Sequence, residues 1–324
     1  MFGVLLICVN MLVYWNRANQ SYRALSFCTE PARAKVLTDF YPSWYATREL
    51  LLRHRDPYGV EVNHELQVAY YGHESDLCYS SEVRDQQRFV YPLYFVFLIA
   101  PIARLDFHLA RSIFGWILAA CAIGNVLLWL RFVRLRLHLA GLIILFLLVF
   151  TSVPLLQNLS ILQPFLLPAF FISGAALAVA SEYLFLGGAL LALACVKPQI
   201  CVLPLAWFSL WLCSNWRHRR SLLVGFTATL AVVVLASECL VPGWLLRYPG
   251  VLRAYAGYAR TTPFLSALLP SPWHWPLTIL LLVVVIDFCW RVRREPAKSP
   301  SFARRSIINI GSHRLDRPRS LSAL

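Results

Sequence analysis

Apolar blocks recur along almost the whole chain, at 2–15, 89–103, 111–130, 139–156, 161–180, 184–196, 199–213, 221–241 and 273–290. About 20 apolar residues are needed for a helix to cross a bilayer, and several blocks approach that length. In hydrocarbon every backbone N–H and C=O must find its partner within the protein, which favours helices as the spanning element. The expectation is an all-α polytopic membrane protein with about eight or nine hydrophobic segments. Composition agrees: 59% of residues are hydrophobic and 14% charged, whereas soluble domains carry roughly a quarter charged residues.

The formal net charge of +14 invites a nucleic-acid reading, but its distribution argues against one. Nine of the 30 Lys and Arg lie in 291–324, and others cluster in "RFVRLRLH" (131–138) and "NWRHRR" (215–220). Short basic patches beside apolar spans are the mark of cytoplasmic loops and meet anionic lipid. The expected partner of this charge is the lipid bilayer, with no nucleic acid. Placing the basic patches in the cytoplasm and counting spans puts 104–109, the turn "LLQNLSILQ" (155–163), Lys197 and 242–272 on the outer side. Loop 16–88 falls there too, provided block 89–103 does not cross. That block has only 15 residues and carries Pro92 and Pro101, so it reads as re-entrant or interfacial.

Ten of the 16 acidic residues fall between Glu30 and Asp85, so loop 16–88 is the chain's one polar region. Four regions follow: an N-terminal membrane helix (1–15), the extracytoplasmic loop (16–88), a transmembrane bundle (89–290) and a basic, polar tail (291–324). Within the loop, "AKVLTDFYPSWYATRELLLRHRDPYGV" predicts an amphipathic helix, with Trp44, Leu51 and Leu52 near one face and Arg48, Arg53 and Arg55 polar. Such a helix lies along the membrane interface. It ends at "RDPYGV", because the residue before a proline is driven out of the helical region and glycine permits a turn. Cys28 and Cys78, the two cysteines of this loop, read equally as a disulfide in an oxidising compartment or as free thiols. Cysteines in the apolar runs, such as Cys121 and Cys201, read as small hydrophobes.

The residues carrying a resemblance are spread along the chain. An Asp in an aromatic setting is followed by "YATRELLLRHRDPYGVEV". Further on come "FVYPLYFVFLIAPIARL", "VPLLQNLSILQPFLLPAFFISGAAL" and "GALLALACVKPQICVLPL". In that order, over about 38–215, they resemble the glycosyltransferase-C superfamily. More narrowly, they resemble the polyprenol-phosphate-mannose-dependent α-mannosyltransferases of glycosyltransferase family 87. Two departures stand out. Leu93 occupies the place of a second proline after Tyr-Pro, and Leu162 that of a glycine before Gln163. The family is usually longer, so the tail 291–324 reads either as a genuine tail or as the mark of a shortened reading frame.

The resemblance implies a glycosyltransferase-C-like helical bundle with a large first extracytoplasmic loop. It also implies transfer of a hexose, most simply mannose, from a polyprenyl-phosphate-sugar donor to a glycolipid or polysaccharide acceptor. The expected location is the bacterial plasma membrane, with the active site facing outward. Inversion at the anomeric carbon needs a base for the acceptor proton, and Asp39 stands at the family's motif position. Asp is equally a common helix N-cap. Asp56 reads rather as part of an ordinary "DPYG" turn. Tyr41 and Tyr45 read as sugar-stacking residues or as interface anchors alongside Trp44. Lys197, a costly cation between two apolar blocks, reads as a phosphate ligand or as a snorkelling side chain. Arg48 is a second phosphate candidate. Asn158, Gln163 and Gln199 are candidates for sugar hydroxyls, and Asn158 also lies in an Asn-Leu-Ser sequon.

His54, His64, His73 and His108 lack metal-ligand spacing, and surface roles are expected. No cofactor or metal is called for. Two other classes compete: a secondary transporter, which would place ionisable groups near the midplane of paired halves, and a non-catalytic membrane subunit.

Overall fold

The computed structural model describes residues 38–71 and 87–258, with isolated helical positions at 9, 276, 279, 280, 283, 284 and 287. The expected helix 1–15, Cys28, Cys78, His73, most of block 273–290 and the tail lie outside the described residues. Within them there are eleven helices and no strand. They are α1 (Phe40–Arg53), α2 (Val60–Tyr71), α3 (Phe95–Ala103), α4 (Phe107–Phe132), α5 (Leu139–Phe150) and α6 (Val153–Ile161). There follow α7 (Leu166–Ala180), α8 (Leu184–Ala194), α9 (Pro198–Ser214), α10 (Trp216–Leu240) and α11 (Trp244–Tyr258).

Two of these, α4 with 26 residues and α10 with 25, are long and apolar enough to cross a membrane. At about 1.5 Å per residue each exceeds the roughly 30 Å of hydrocarbon. A third span arises if α5 and α6 count together; they meet at a 60° bend. The bend falls at Thr151–Ser152, whose hydroxyls turn back to donate to Leu147 O and Val149 O, with proline in the first turn of α6. The eight or nine apolar segments therefore yield fewer full-length spans than segments among the described residues. α7, α8 and α9 have only 11–17 residues: Pro198 opens α9, and α7 and α8 part at Ser181–Tyr183, where Glu182 is left-handed (φ 66°). The apolar flanks of α4, α5 and α10 (Trp116, Ile144, Val232 and Leu235 among them) are exposed, as lipid-facing side chains would be. The protein is a helical integral membrane protein.

Two packed regions make up the interior. In the first, α1 is sunk against α3 and α4, and Phe40 stacks on Phe114 with ring centroids 4.1 Å apart. Tyr41 meets Phe107 edge-on at 5.0 Å. The buried stripe of α1 is Phe40, Ser43, Trp44, Thr47 and Leu50, at helical spacing. Leu52, expected on the apolar face, is exposed, so the stripe is rotated from the expected one. α1 ends as expected before "RDPYGV": His54 takes the left-handed conformation (φ 53°) and closes the helix onto Glu49 and Leu50. Segment 89–103 holds only the nine-residue α3. At about 14 Å, α3 is too short to cross, and it is covered by protein, with Phe95, Val96 and Ile99 fully buried.

The second region is α7, α8, α9 and α10. Here small residues let backbones touch, the usual device for helix association where lipid removes the hydrophobic drive. A Cβ on Gly188 of α8 would overlap the carbonyl of Leu222 on α10, and one on Gly225 of α10 would overlap the carbonyl of Phe185 on α8. Arg219 is buried on the same helix, its guanidinium 3.7 Å over the Trp211 ring and donating to Trp211 O. It clasps the turn between α9 and α10.

The two spans orient the molecule. The N-terminus of α4 and the C-terminus of α10 lie with the aromatic region, through Tyr41–Phe107 and Tyr94–Trp244 contacts. The basic runs 131–138 and 215–220 follow and precede the opposite ends of these helices.

Candidate active site

Five separated segments meet at one open cavity of about 780 Å³, the solvent at its mouth included. Its walls include Asp39 at the start of α1, Arg88 and Tyr91 before α3, Gln163 after α6, Lys197 and Gln199 at the start of α9, and Tyr248 and Tyr255 on α11. The backbone at each is held by a hydrogen bond from elsewhere. Asp39 N donates to Ile161 O at 3.0 Å, which joins the first loop to the end of α6. Tyr94 Oη donates to Cys195 O at 2.7 Å, fixing the turn that carries Lys197. Tyr58 Oη donates to Tyr91 O at 2.7 Å, and Tyr248 Oη to Val90 O at 3.3 Å. Extended segment 87–91 is thus fastened at two successive carbonyls.

Asp39 occupies the N-cap position of α1, yet its side chain makes no capping hydrogen bond to that helix. The capping role expected of an Asp there is not filled. Instead its carboxylate acts electrostatically on Lys197 and Tyr91. Lys197 is half-buried and its Nζ lies 5.5 Å from the centroid of the Phe165 ring. Burial lowers the Lys197 pKa below its ordinary 10.5, and the Asp39 charge opposes that shift. Burial raises the phenols of Tyr91 and Tyr248 above their ordinary 10.0, with the Asp39 charge adding to it at Tyr91. Both therefore stay neutral.

Gln163 depends on an unusual residue before it. Leu162 caps α6 in the left-handed region (φ 52°, ψ 45°), where glycine is the default and other residues cost about 1 kcal/mol or more. This is the position at which the family resemblance leads one to expect glycine. Leu162 compensates by burial: it is 7% exposed, and its Cδ2 faces Gly115 of α4. The turn survives the loss of glycine, and Gln163 still reaches the cavity.

Asp39, Gln163, Lys197 and Gln199 come together, whereas four other candidates do not line the cavity. Asn158 lies on helix α6 rather than in the expected turn, and its Nδ2 donates to Pro154 O at 2.8 Å. Its backbone carbonyl accepts from Leu162 N and Gln163 N at the end of α6, while its side-chain Oδ1 is buried with no hydrogen-bond partner among the described residues. Tyr45 Oη donates to Glu65 Oε2 at 2.5 Å. Arg48 donates to Leu105 O and lies 5.3 Å from the Trp44 ring centroid. Tyr41 packs on Trp44, Tyr45 and Phe107. Beside them, buried Glu49 pairs with Arg53 and Arg55, and Arg55 also pairs with Glu65, holding the Glu65 carboxyl below its ordinary 4.5. These contacts fasten α1 to α2.

Asp56 makes the expected turn, accepting from Tyr58 N at 3.0 Å, and also pairs with Arg247 of α11. His54, His64 and His108 are exposed and do not line the cavity. Among the described residues no group of three or more His, Cys, Asp or Glu comes together. The residues that sequence reasoning missed are Arg88, Tyr91, Tyr248 and Tyr255. Tyr91 sits in the Tyr-Pro segment already singled out. Arg88 carries no local signal, and Tyr248 and Tyr255 reach the cavity only once α11 folds back. A left-handed Gly243 (φ 76°) allows that return, its N–H donating to the Glu238 carboxylate at the end of α10.

A helical membrane protein with a carboxylate, cations and amides around one open cavity defines an enzyme-like site within an integral membrane bundle. The model of glycosyltransferase family 87 matches residues 89–310, more than half of the chain. The chain belongs to glycosyltransferase family 87 and is a membrane glycosyltransferase. The match takes in Gln163, Lys197, Gln199 and α11, and it begins beyond Asp39 and Arg88. No curated protein and no solved structure matches the chain.

Proposed function

We propose that this glycosyltransferase moves mannose from a polyprenyl-phosphate donor to a glycolipid or polysaccharide acceptor, with inversion, at the outer face of the membrane. The observation that carries the proposal is the meeting of Asp39, Gln163, Lys197 and Gln199 in one cavity. The carboxylate takes the acceptor hydroxyl proton as its oxygen attacks the anomeric carbon, and lipid phosphate leaves from the opposite face. Lys197 lies where a cation can meet the leaving phosphate. Gln163 and Gln199 offer donors and acceptors to sugar hydroxyls.

The outward orientation is supported by the origin of the walls. Asp39, Gln163, Lys197 and α11 all belong to segments that charge counting puts opposite the basic patches. None of 131–138 or 215–220 lines the cavity.

The test is sugar transfer by membranes containing the full chain, supplied with polyprenyl-phosphate-mannose and a mixed envelope-lipid acceptor. The expected product carries mannose in the configuration opposite to the donor's. Transfer of arabinose or glucose in preference to mannose would overturn the donor assignment, and retained configuration would overturn the mechanism.

A further inference from the structure

The cavity holds a second cation that the reading above leaves unused. Arg88 lines it, half-buried, and among the described residues it has no hydrogen bond or ion pair. Its Nε is fully buried without a partner. A buried guanidinium N–H left unpaired is costly, and the residues that follow this one are fastened. Phe89 next to it is 1% exposed, Val90 O accepts from Tyr248, and Tyr91 O accepts from Tyr58. The backbone directly after Arg88 is therefore held in place, while among the described residues its guanidinium meets no anion. Lys197 lines the same cavity, and its side chain has no hydrogen bond or ion pair among the described residues.

We infer that Arg88 and Lys197 together form a subsite for a phosphate monoester anion, the phosphate of the polyprenyl carrier. This deepens the reading given above and rests on it. In the donor the phosphate is a diester with one negative charge. When the bond from the anomeric carbon to the phosphate oxygen breaks, the electron pair stays on that oxygen. The bond to the acceptor oxygen forms, and the acceptor proton passes to the Asp39 carboxylate. The phosphate thereby gains a second charge, so two cations hold the departing group more tightly than the bound donor. That differential favours the transition state. Arginine adds a planar fork of N–H donors suited to phosphate oxygens, whereas lysine supplies a point charge.

The experiment is direct binding of a polyprenyl phosphate to the full chain in detergent micelles. The polyprenyl alcohol and inorganic phosphate serve as comparison probes. Wild type is expected to bind the lipid phosphate at least about tenfold more tightly than the alcohol, as a charge-assisted site requires. Arg88→Gln and Lys197→Gln should each weaken it by about tenfold or more, with thermal midpoints near wild type when no ligand is present. Arg88→Lys keeps the charge and the aliphatic stem, and should fall between wild type and Arg88→Gln. Should Arg88→Gln fail to fold, the Arg88→Lys and alcohol comparisons still decide the matter. Equal binding of alcohol and phosphate overturns the subsite, as does Arg88→Lys or Arg88→Gln indistinguishable from wild type. Inorganic phosphate that competes as well as the lipid phosphate overturns the lipid assignment. Asp39→Asn should bind the lipid phosphate at least as well as wild type and fail to transfer sugar. Transfer by Asp39→Asn, alongside lost binding in Arg88→Gln, would sink the base assignment and leave the subsite standing.

Discussion

The cavity region and the glycine-crossed bundle solve different problems with different residues. Around α1, α3 and α11, aromatic rings fill the interior and tyrosine hydroxyls fasten carbonyls next to charged groups. Around α7, α8 and α10, Gly188 and Gly225 allow backbones to touch, and Arg219 is the buried charge, fixed by its own turn. In the first region polar groups face open space, while in the second they are consumed by structure. The lesson is that charge in a membrane bundle is informative only once its partners are known. Arg219 and Arg88 look alike in sequence, yet one is saturated and the other faces a cavity.

The largest expected effect would break the bundle. Gly188→Ala places a methyl against the Leu222 carbonyl, and backbone overlap of this kind should cost about 3 kcal/mol, the upper end for overpacking. The thermal midpoint in detergent measures it. A variant as stable as wild type would show that the two helices can move apart freely.

Next comes Leu162, which belongs to the cavity region. Leu162→Gly relieves about 1 kcal/mol of left-handed strain but removes a buried leucine, for which truncation costs about 2–5 kcal/mol. The expected sum is a net loss of stability, read by the same midpoint. A gain would mean that burial against Gly115 contributes little.

Smaller still is the latch between Asp56 and Arg247, whose side chains are 28% and 48% exposed. A pair this open contributes no more than about 1 kcal/mol to stability. Arg247 is nonetheless a positioning residue, because α11 carries Tyr248 and Tyr255 to the cavity wall. Arg247→Ala should raise KM for the donor more than it lowers kcat, with a nearly unchanged midpoint. A loss confined to kcat would contradict that role.

The smallest effect is a pH dependence. Burial puts the folded pKa of Lys197 below 10.5. Between the folded and unfolded values the unfolded chain therefore binds more protons, and folding is favoured as pH rises. Anion binding has the opposite sign, because it needs the ammonium. Affinity for polyprenyl phosphate should decline at alkaline pH below 10.5, and that decline should vanish in Lys197→Arg.

Part of the candidate site is legible in the sequence. Lys197 is a charge stranded between apolar blocks, whereas Asp39 and Gln163 stand out through the family resemblance rather than through a local signal. The helix over 153–161 was misread as a turn because Asn158 and Ser160 look like loop residues, although Pro154 in the first turn is a helix-start signal. Asn158 is accordingly expected to meet sugar, but its side chain turns back to donate to Pro154 O within α6 and does not line the cavity. Tyr41, Tyr45 and Arg48 were chosen for their chemistry, but α1 is sunk against its neighbours and their contacts are internal. Arg88 was invisible for the opposite reason. One arginine in a polar loop is unremarkable until tertiary packing sets it in a cavity wall with its Nε buried and unpaired among the described residues.

The central claim is that the cavity is the catalytic centre and Asp39 its base. The most direct measurement is the rate of mannose transfer by wild type and Asp39→Asn, at equal expression and with matched thermal midpoints. Loss of a general base predicts a fall of about a hundredfold or more. Equal rates in the two chains would contradict the account.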